Sequence, residues 1–126
     1  MIFVFGGAHQ GMEDYVRDTL GIADIVALDE EMREIDFASA KAFSGLERYV
    51  LGCVRRGESA VDYFKARREA WADKALIGLD FSCGVVPTDA EMRLRREENG
   101  RLNNYLAGNA KRVVRLFCGL PQELKA

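Results

Sequence analysis

The residues with the clearest chemical potential stand at the start of the chain. An apolar run, Ile2-Phe3-Val4-Phe5, leads directly into Gly6-Gly7-Ala8-His9-Gln10-Gly11-Met12-Glu13. Glycines spaced as Gly6 and Gly11 are, between a strand and a helix, follow the phosphate-loop pattern G-x-x-x-x-G-K-[ST]. In such a loop backbone amides cradle phosphates, the lysine reaches the β- and γ-phosphates, and the hydroxyl ligates magnesium. Here Met12 takes the lysine position and Glu13 the hydroxyl position. Met12 brings no charge and no strong donor, and Glu13 places a carboxylate beside the path of a triphosphate. Two like charges ~4 Å apart repel by ~1 kcal/mol in water and by several times that near a protein surface. The layout of a nucleotide loop is present without the groups that hold and turn over a nucleoside triphosphate.

Other residues offer chemistry, each with a plainer alternative. His9, the single histidine of the chain, is either a base or substitute nucleotide acceptor, or a solvent-exposed loop tip. Asp80 ends an apolar run over 74–80, as a metal ligand or as a polar strand end. Asp29-Glu30-Glu31 is either a cation holder or a solvated loop. Arg93, Arg95, Arg96 and Arg101 are either phosphate receivers or, mixed with Glu91, Glu97 and Glu98, an ion-paired helix face. Cys83 follows a strand end, a common active-site position in open α/β sheets, but no histidine partner is assignable to it.

These positions are set by alternating strands and helices. Apolar runs at 2–5, 24–28, 74–80 and 111–118 read as strands. Helical spacing covers about 12–20, 37–56, 59–72 and 88–107. Gly21 and Gly57 end the first two helices, Ser59 caps the third, and Thr88 or Asp89, with Glu91 placed for a capping box, starts the fourth. Phe37, Ala40, Phe43, Val50 and Val54 form the apolar side of the second helix, and Leu94, Leu102, Tyr105 and Leu106 that of the fourth. Gly119-Leu120-Pro121 turns the chain into a short tail. The order β-α-β-α-α-β-α-β predicts a three-layer α/β domain over 1–126. Its sheet is open and mostly parallel, with about four to five strands and helices on both faces.

Bulk properties narrow the classes further. With 126 residues, 48% apolar and 30% charged, the chain is expected to fold as one globular domain. No apolar run approaches the ~20 residues of a membrane span, and the first strand leaves no room for a leader. Three cysteines without C-x-x-C spacing read as reduced thiols, which with the missing leader predicts a cytoplasmic protein. Residues 1–36 carry nine acids and two bases, and the remainder eleven acids and sixteen bases. With no basic stripe interleaved with aromatics, neither nucleic acid nor membrane is an expected partner.

The second half carries a further pattern: an acid-ended strand, then Gly84-Val85-Val86-Pro87, an arginine-rich helix with Gly100-Arg101-Leu102-Asn103-Asn104-Tyr105-Leu106-Ala107, and Gly119-Leu120-Pro121-Gln122-Glu123-Leu124-Lys125. With the glycine loop and the acidic segment Asp29-Glu30-Glu31-Met32-Arg33, it resembles the adenosylcobinamide kinase/adenosylcobinamide-phosphate guanylyltransferase family of cobalamin biosynthesis. In that family the corresponding stretches read much like G-I-V-P, G-R-x-N-Q-x-L-A and G-I-P-L-x-L-K. The region from about 35 to 75 matches poorly.

The resemblance implies a fold of P-loop NTPase type and phosphorylation of cobinamide by a nucleoside triphosphate. GMP transfer from GTP through a guanylylated histidine would follow. It also implies an oligomer, a corrinoid or nucleotide ligand, and ATP or GTP with Mg if the activity persists. By resemblance Gly6, Gly7, Ala8, His9, Gln10, Gly11, Met12 and Glu13 form the phosphate loop, degenerate here, and Asp80 sits at the acid near the metal. The family's acceptor histidine follows the acidic segment, yet Ile35-Asp36-Phe37-Ala38-Ser39-Ala40-Lys41 contains none. His9 and Asp80 are therefore the catalytic candidates, and Asp80 the metal candidate. The expected function is a degenerate homologue without triphosphate turnover, acting as a ligand-binding or assembly subunit. The alternatives are an active transferase with an altered site and an oligomeric interaction module with no small ligand.

Overall fold

The computed structural model describes residues 1–80 and 89–126. The loop expected at 81–87, including Cys83, and the alternative helix cap Thr88 lie outside the described residues. Strands β1 (Ile2–Gly6), β2 (Ile25–Ala27), β3 (Ala42–Ser44), β4 (Ala75–Leu79), β5 (Arg112–Phe117) and β6 (Leu120–Lys125) form one sheet in the order β2-β3-β4-β1-β5-β6. The first five run parallel, and β6 pairs antiparallel with β5. The described helices are α1 (Met12–Asp18), α2 (Leu46–Arg56), α3 (Ala60–Ala66), α4 (Arg68–Trp71) and α5 (Ala90–Asn109).

Helices cover both faces, as expected for parallel strands that are apolar on both sides. On one face Val4, Ala42, Ile77, Val114 and Leu116 pack with Tyr15 and Val16 of α1. On the other, Phe3, Phe43, Leu76 and Val113 meet the helical residues Tyr49, Val50, Phe64, Trp71, Leu102 and Leu106. This larger core is rich in aromatic edge-to-face contacts. Phe37 stands against both Phe43 and Phe64, and Trp71 against Tyr105. Two polar ring tips in this core are hydrogen-bonded. Trp71 Nε1 donates to Phe64 O at 2.9 Å, and Tyr63 Oη accepts from the Ile35 amide at 2.7 Å. Among the described residues no helix is long and apolar enough to cross a membrane.

Three expectations are corrected. The sheet has six strands rather than four to five. The helix expected over 37–56 is instead a 3₁₀ turn (Phe37–Ser39), then β3, then α2. Asp36 stabilises the turn by accepting from the Ala38 amide at 3.1 Å, and Gly45, at φ 74°, separates strand from helix. β3 is central and buried throughout, so tertiary position overrides the weak strand propensity of alanine and serine. The expected tail is β6, folded back by Cys118 and Gly119 at φ 52° and 77°. Positive φ at both central residues is the geometry of the tight hairpin turns that match strand twist.

Smaller differences follow the same logic. The helix expected over 59–72 breaks at Arg67 into α3 and α4, while Ser59 caps α3 by accepting from the Asp62 amide at 3.2 Å. Asp89 caps α5 through the Met92 amide at 3.0 Å, and Glu91 turns outward to Arg55 at 3.1 Å. Leu94 is exposed and Asn99 is buried instead. The asparagine has a structural reason. β3 pairs with β4 only as far as Phe43 opposite Leu76, so the end of β4 lacks a ladder partner on that side. Asn99 and Asn103, one turn apart, both donate to Leu79 O, at 2.7 and 3.1 Å. Gly78 permits this approach, because a Cβ there would stand 3.0 Å from Asn103 Oδ1 and from the Phe3 ring.

Candidate functional site

The carboxyl ends of β1, β3 and β4 open into a cleft of about 650 Å³. Its walls come from three places: His9, Gln10, Gly11, Met12, Glu13 and Asp14 after β1; Ser44, Gly45 and Glu47 after β3; and Ile77, Gly78 and Leu79 of β4. This is where ligands bind in open α/β sheets, because successive strands feed loops to the same edge. Five of the eight loop residues singled out from sequence, His9 to Glu13, line it. Gly6 lies behind them at the end of β1, where a Cβ would stand 2.6 Å from Leu116 O, so only glycine fits. Gly7 and Ala8 are not among the cleft-lining residues.

The loop is held by the β5–β6 hairpin. Gln10 O accepts from the Gly119 amide at 3.1 Å, and Gln10 Oε1 accepts from the Cys118 amide. His9 at φ 60° and Gly11 at φ 88° give the loop its left-handed bends. Among the described residues, no amide of residues 7–11 donates a hydrogen bond. The Met12 sulfur lies 3.1 Å from the position a Gly6 Cβ would take, and its side chain packs against the α1-side core. The residue at the lysine position is therefore a packing residue.

Charge in the cleft is one-sided. Glu13, Asp14 and Glu47 line it, and among the described residues no lysine or arginine does, although Arg95 and Arg48 act on Glu47 from outside the lining. Arg17 reaches Glu13 at 4.0 Å and Asp14 at 3.3 Å. Burial pushes the Glu47 carboxyl above its ordinary range, against the pull of its own amide, Arg95 and Arg48, and Glu13 adds to the rise. The sign for stability follows directly. The folded state holds this proton more tightly than the unfolded chain, so the contribution is full below the ordinary value of 4.5 and is lost as pH rises through the folded value. Glu47→Gln is therefore expected to raise the melting temperature at neutral pH. The difference should vanish at roughly pH 3.5, below the ordinary carboxyl range, as thermal scans at the two pH values will show.

Asp80 extends the β1–β4 ladder by donating its amide to Gly6 O at 2.8 Å, but it is not among the residues lining the cleft. Among the described residues no three His, Cys, Asp or Glu side chains are grouped to hold a metal ion. The acidic run closes a turn. Asp29 Oδ1 accepts from the Glu31 and Met32 amides at 2.9 and 3.0 Å, and Glu30 pairs with Arg55 at 3.1 Å. Arg101 pairs with Glu98 at 3.1 Å on the exposed side of α5. Cys53 and Cys118 are free thiols, and burial pushes the Cys53 thiol upward, away from reactivity.

Sequence reasoning missed Ser44 and Glu47. Both lie inside the stretch read as one continuous helix, and the visible hint was Gly45 between them. No protein-family model matches the chain, and no curated protein matches it.

Proposed function

We propose that this chain is a short, degenerate homologue of the adenosylcobinamide kinase/adenosylcobinamide-phosphate guanylyltransferases, with a sheet of P-loop NTPase type. In this reading it is a cytoplasmic ligand-binding or assembly subunit of the corrinoid pathway, without triphosphate turnover. One observation carries the reading. The loop after β1 presents unengaged amides at the carboxyl edge of a parallel sheet, as a phosphate loop does, while Met12 packs inward and three carboxylates face the cleft. Preorganised charge is the main catalytic resource in phosphoryl transfer. A cleft with acids and, among the described residues, no lining cation works against a triphosphate and its transition state. ATP or GTP with Mg would serve as cofactor only if the family's activity persisted.

Calorimetry with a corrinoid and with GTP tests the proposal. Weak binding of either, without hydrolysis, is the expected result, together with a homo-oligomer in solution. A second reading rests on His9, which lines the cleft: an altered transferase in which His9 accepts the nucleotide and Asp80 serves the metal. That reading requires turnover that disappears in His9→Ala or Asp80→Ala. A plain interaction module would show neither binding nor turnover. The side chains it would use are the exposed Phe117, Leu120 and Leu124 of the hairpin.

A further inference from the structure

We infer that β6 is a docking edge for a second copy of this chain, paired antiparallel about a two-fold axis at Gln122. The inference rests on the homo-oligomer of the reading above and goes on to name its interface. β6 forms one border of the sheet, and its whole length is exposed. Phe117, Leu120 and Leu124 are 60%, 69% and 52% exposed, which leaves an apolar row at that border. Charged side chains usually guard such an edge. Here both are turned back onto their own chain. The Glu123 carboxylate accepts from Arg112 through both oxygens, and Lys125 Nζ donates to the Ala107 and Gly108 carbonyls at 3.4 and 3.3 Å.

The register follows from the backbone. Cys118 and Gly119 make a two-residue turn, so Phe117 and Leu120 are the hydrogen-bonded pair beside it. Alternation then turns the backbone groups of Gln122 towards β5 and those of Pro121 and Glu123 outward. Pro121 suits an outward position, because it has no amide to give to β5. The open edge therefore offers the Glu123 amide and the carbonyls of Pro121 and Glu123. Antiparallel self-pairing can bring these groups together in three registers. Pro121 opposite Pro121 supplies no donor, and Glu123 opposite Glu123 sets like charges face to face. Pro121 opposite Glu123 gives both Glu123 amides an acceptor. That register also puts Leu120 opposite Leu124 and Gln122 opposite Gln122, because Leu120-Pro121-Gln122-Glu123-Leu124 has matching apolar ends about Gln122. A patch that is its own complement closes as a pair. The bulge at Leu124 ends the regular edge. The covered area is therefore small, on the order of 1,000 Å² for both copies, and the dimer is weak.

Sedimentation of the full chain tests this, with a reversible dimer expected at a dissociation constant on the order of 50 μM. Leu120→Asp should weaken it about a hundredfold and Leu124→Gln about tenfold, because the two-fold counts each change twice. Both side chains are exposed in the single chain, so neither change should disturb its fold. In a Cys118→Asn background, Gln122→Cys should form an intermolecular disulfide under mild oxidation. Directly opposed residues of such a pair stand about 4.5 Å apart at Cα, within reach of that bond. Lys125→Cys, far from its own copy, should not cross-link. A monomer at every concentration, a dimer unmoved by Leu120→Asp, or faster cross-linking of Lys125→Cys than of Gln122→Cys would each overturn the inference. Calorimetry with a corrinoid and with GTP is run on the same samples. Ligand binding by a chain that stays monomeric would remove this interface and leave the cleft reading. A dimer that binds neither ligand would do the reverse.

Discussion

A single methyl group at position 52 is expected to lower the melting temperature by about 4–8 °C. Gly52 lies in the buried face of α2, where a Cβ would stand 2.2 Å from Glu30 O and 2.9 Å from Glu30 C. That backbone cannot step aside easily. Asp29 clamps the turn through two amides, Arg56 Nη1 donates to Glu30 O at 3.4 Å, and Arg55 holds the Glu30 carboxylate. Alanine favours the helix over glycine by about 1 kcal/mol. A contact more than an ångström too short opposes this, and overpacking of that kind costs about 1–3 kcal/mol or more. The steric term wins, and for a domain of this size each kcal/mol moves the midpoint by about 4 °C. Gly108→Ala in α5 is the control: among the described residues nothing lies within 4 Å of its Cβ, so propensity acts alone and the variant should be slightly more stable. Thermal denaturation of the two variants separates packing from propensity.

The double change Met12→Lys with Glu13→Ser is expected to raise affinity for ATP with magnesium by about a hundredfold. Each substitution reverses one fault, supplying a cation or removing an anion, and about 1.4 kcal/mol apiece is a factor of ten each. The loop backbone should not need rebuilding, because Gly11 already bends at φ 88° and the amides of residues 7–11 are unengaged among the described residues. Met12 leaves the α1-side core in this variant, which costs about 1 kcal/mol of stability. Calorimetry at matched ionic strength reads the gain. An unchanged affinity would mean that the loop, held at Gln10 by the hairpin, has the spacing of a phosphate loop without its shape.

What the sequence disclosed follows from where the physical signals are local. β1, β2, β4 and β5 are apolar runs bounded by turn residues, and α1 and α5 begin at visible helix starts, so their placement needed no tertiary knowledge. β3 carries no such signal. It is three residues long, covered on both faces, and set within a series of apolar residues at helical spacing from Phe37 to Val54. β6 is exposed along its whole length and contains Pro121, so neither alternation nor propensity marks it. Its pairing is imposed by the two left-handed residues before it. The half of the cleft after β1 was legible from glycine spacing. Ser44 and Glu47 reach the cleft only because β3 lies beside β4, and that neighbourhood is invisible when the stretch is read as one helix. Asp80 was placed correctly at a strand end, yet that end leaves it outside the cleft-lining set. Asn99 in the core answers the carbonyl left by a short neighbouring strand, a requirement that no local pattern expresses.

The central claim is that the cleft's charge opposes triphosphate chemistry, and phosphate release by the purified chain with millimolar ATP or GTP and magnesium tests it most directly. The account predicts release indistinguishable from a protein-free blank. Turnover proportional to protein concentration and abolished in His9→Ala would contradict it.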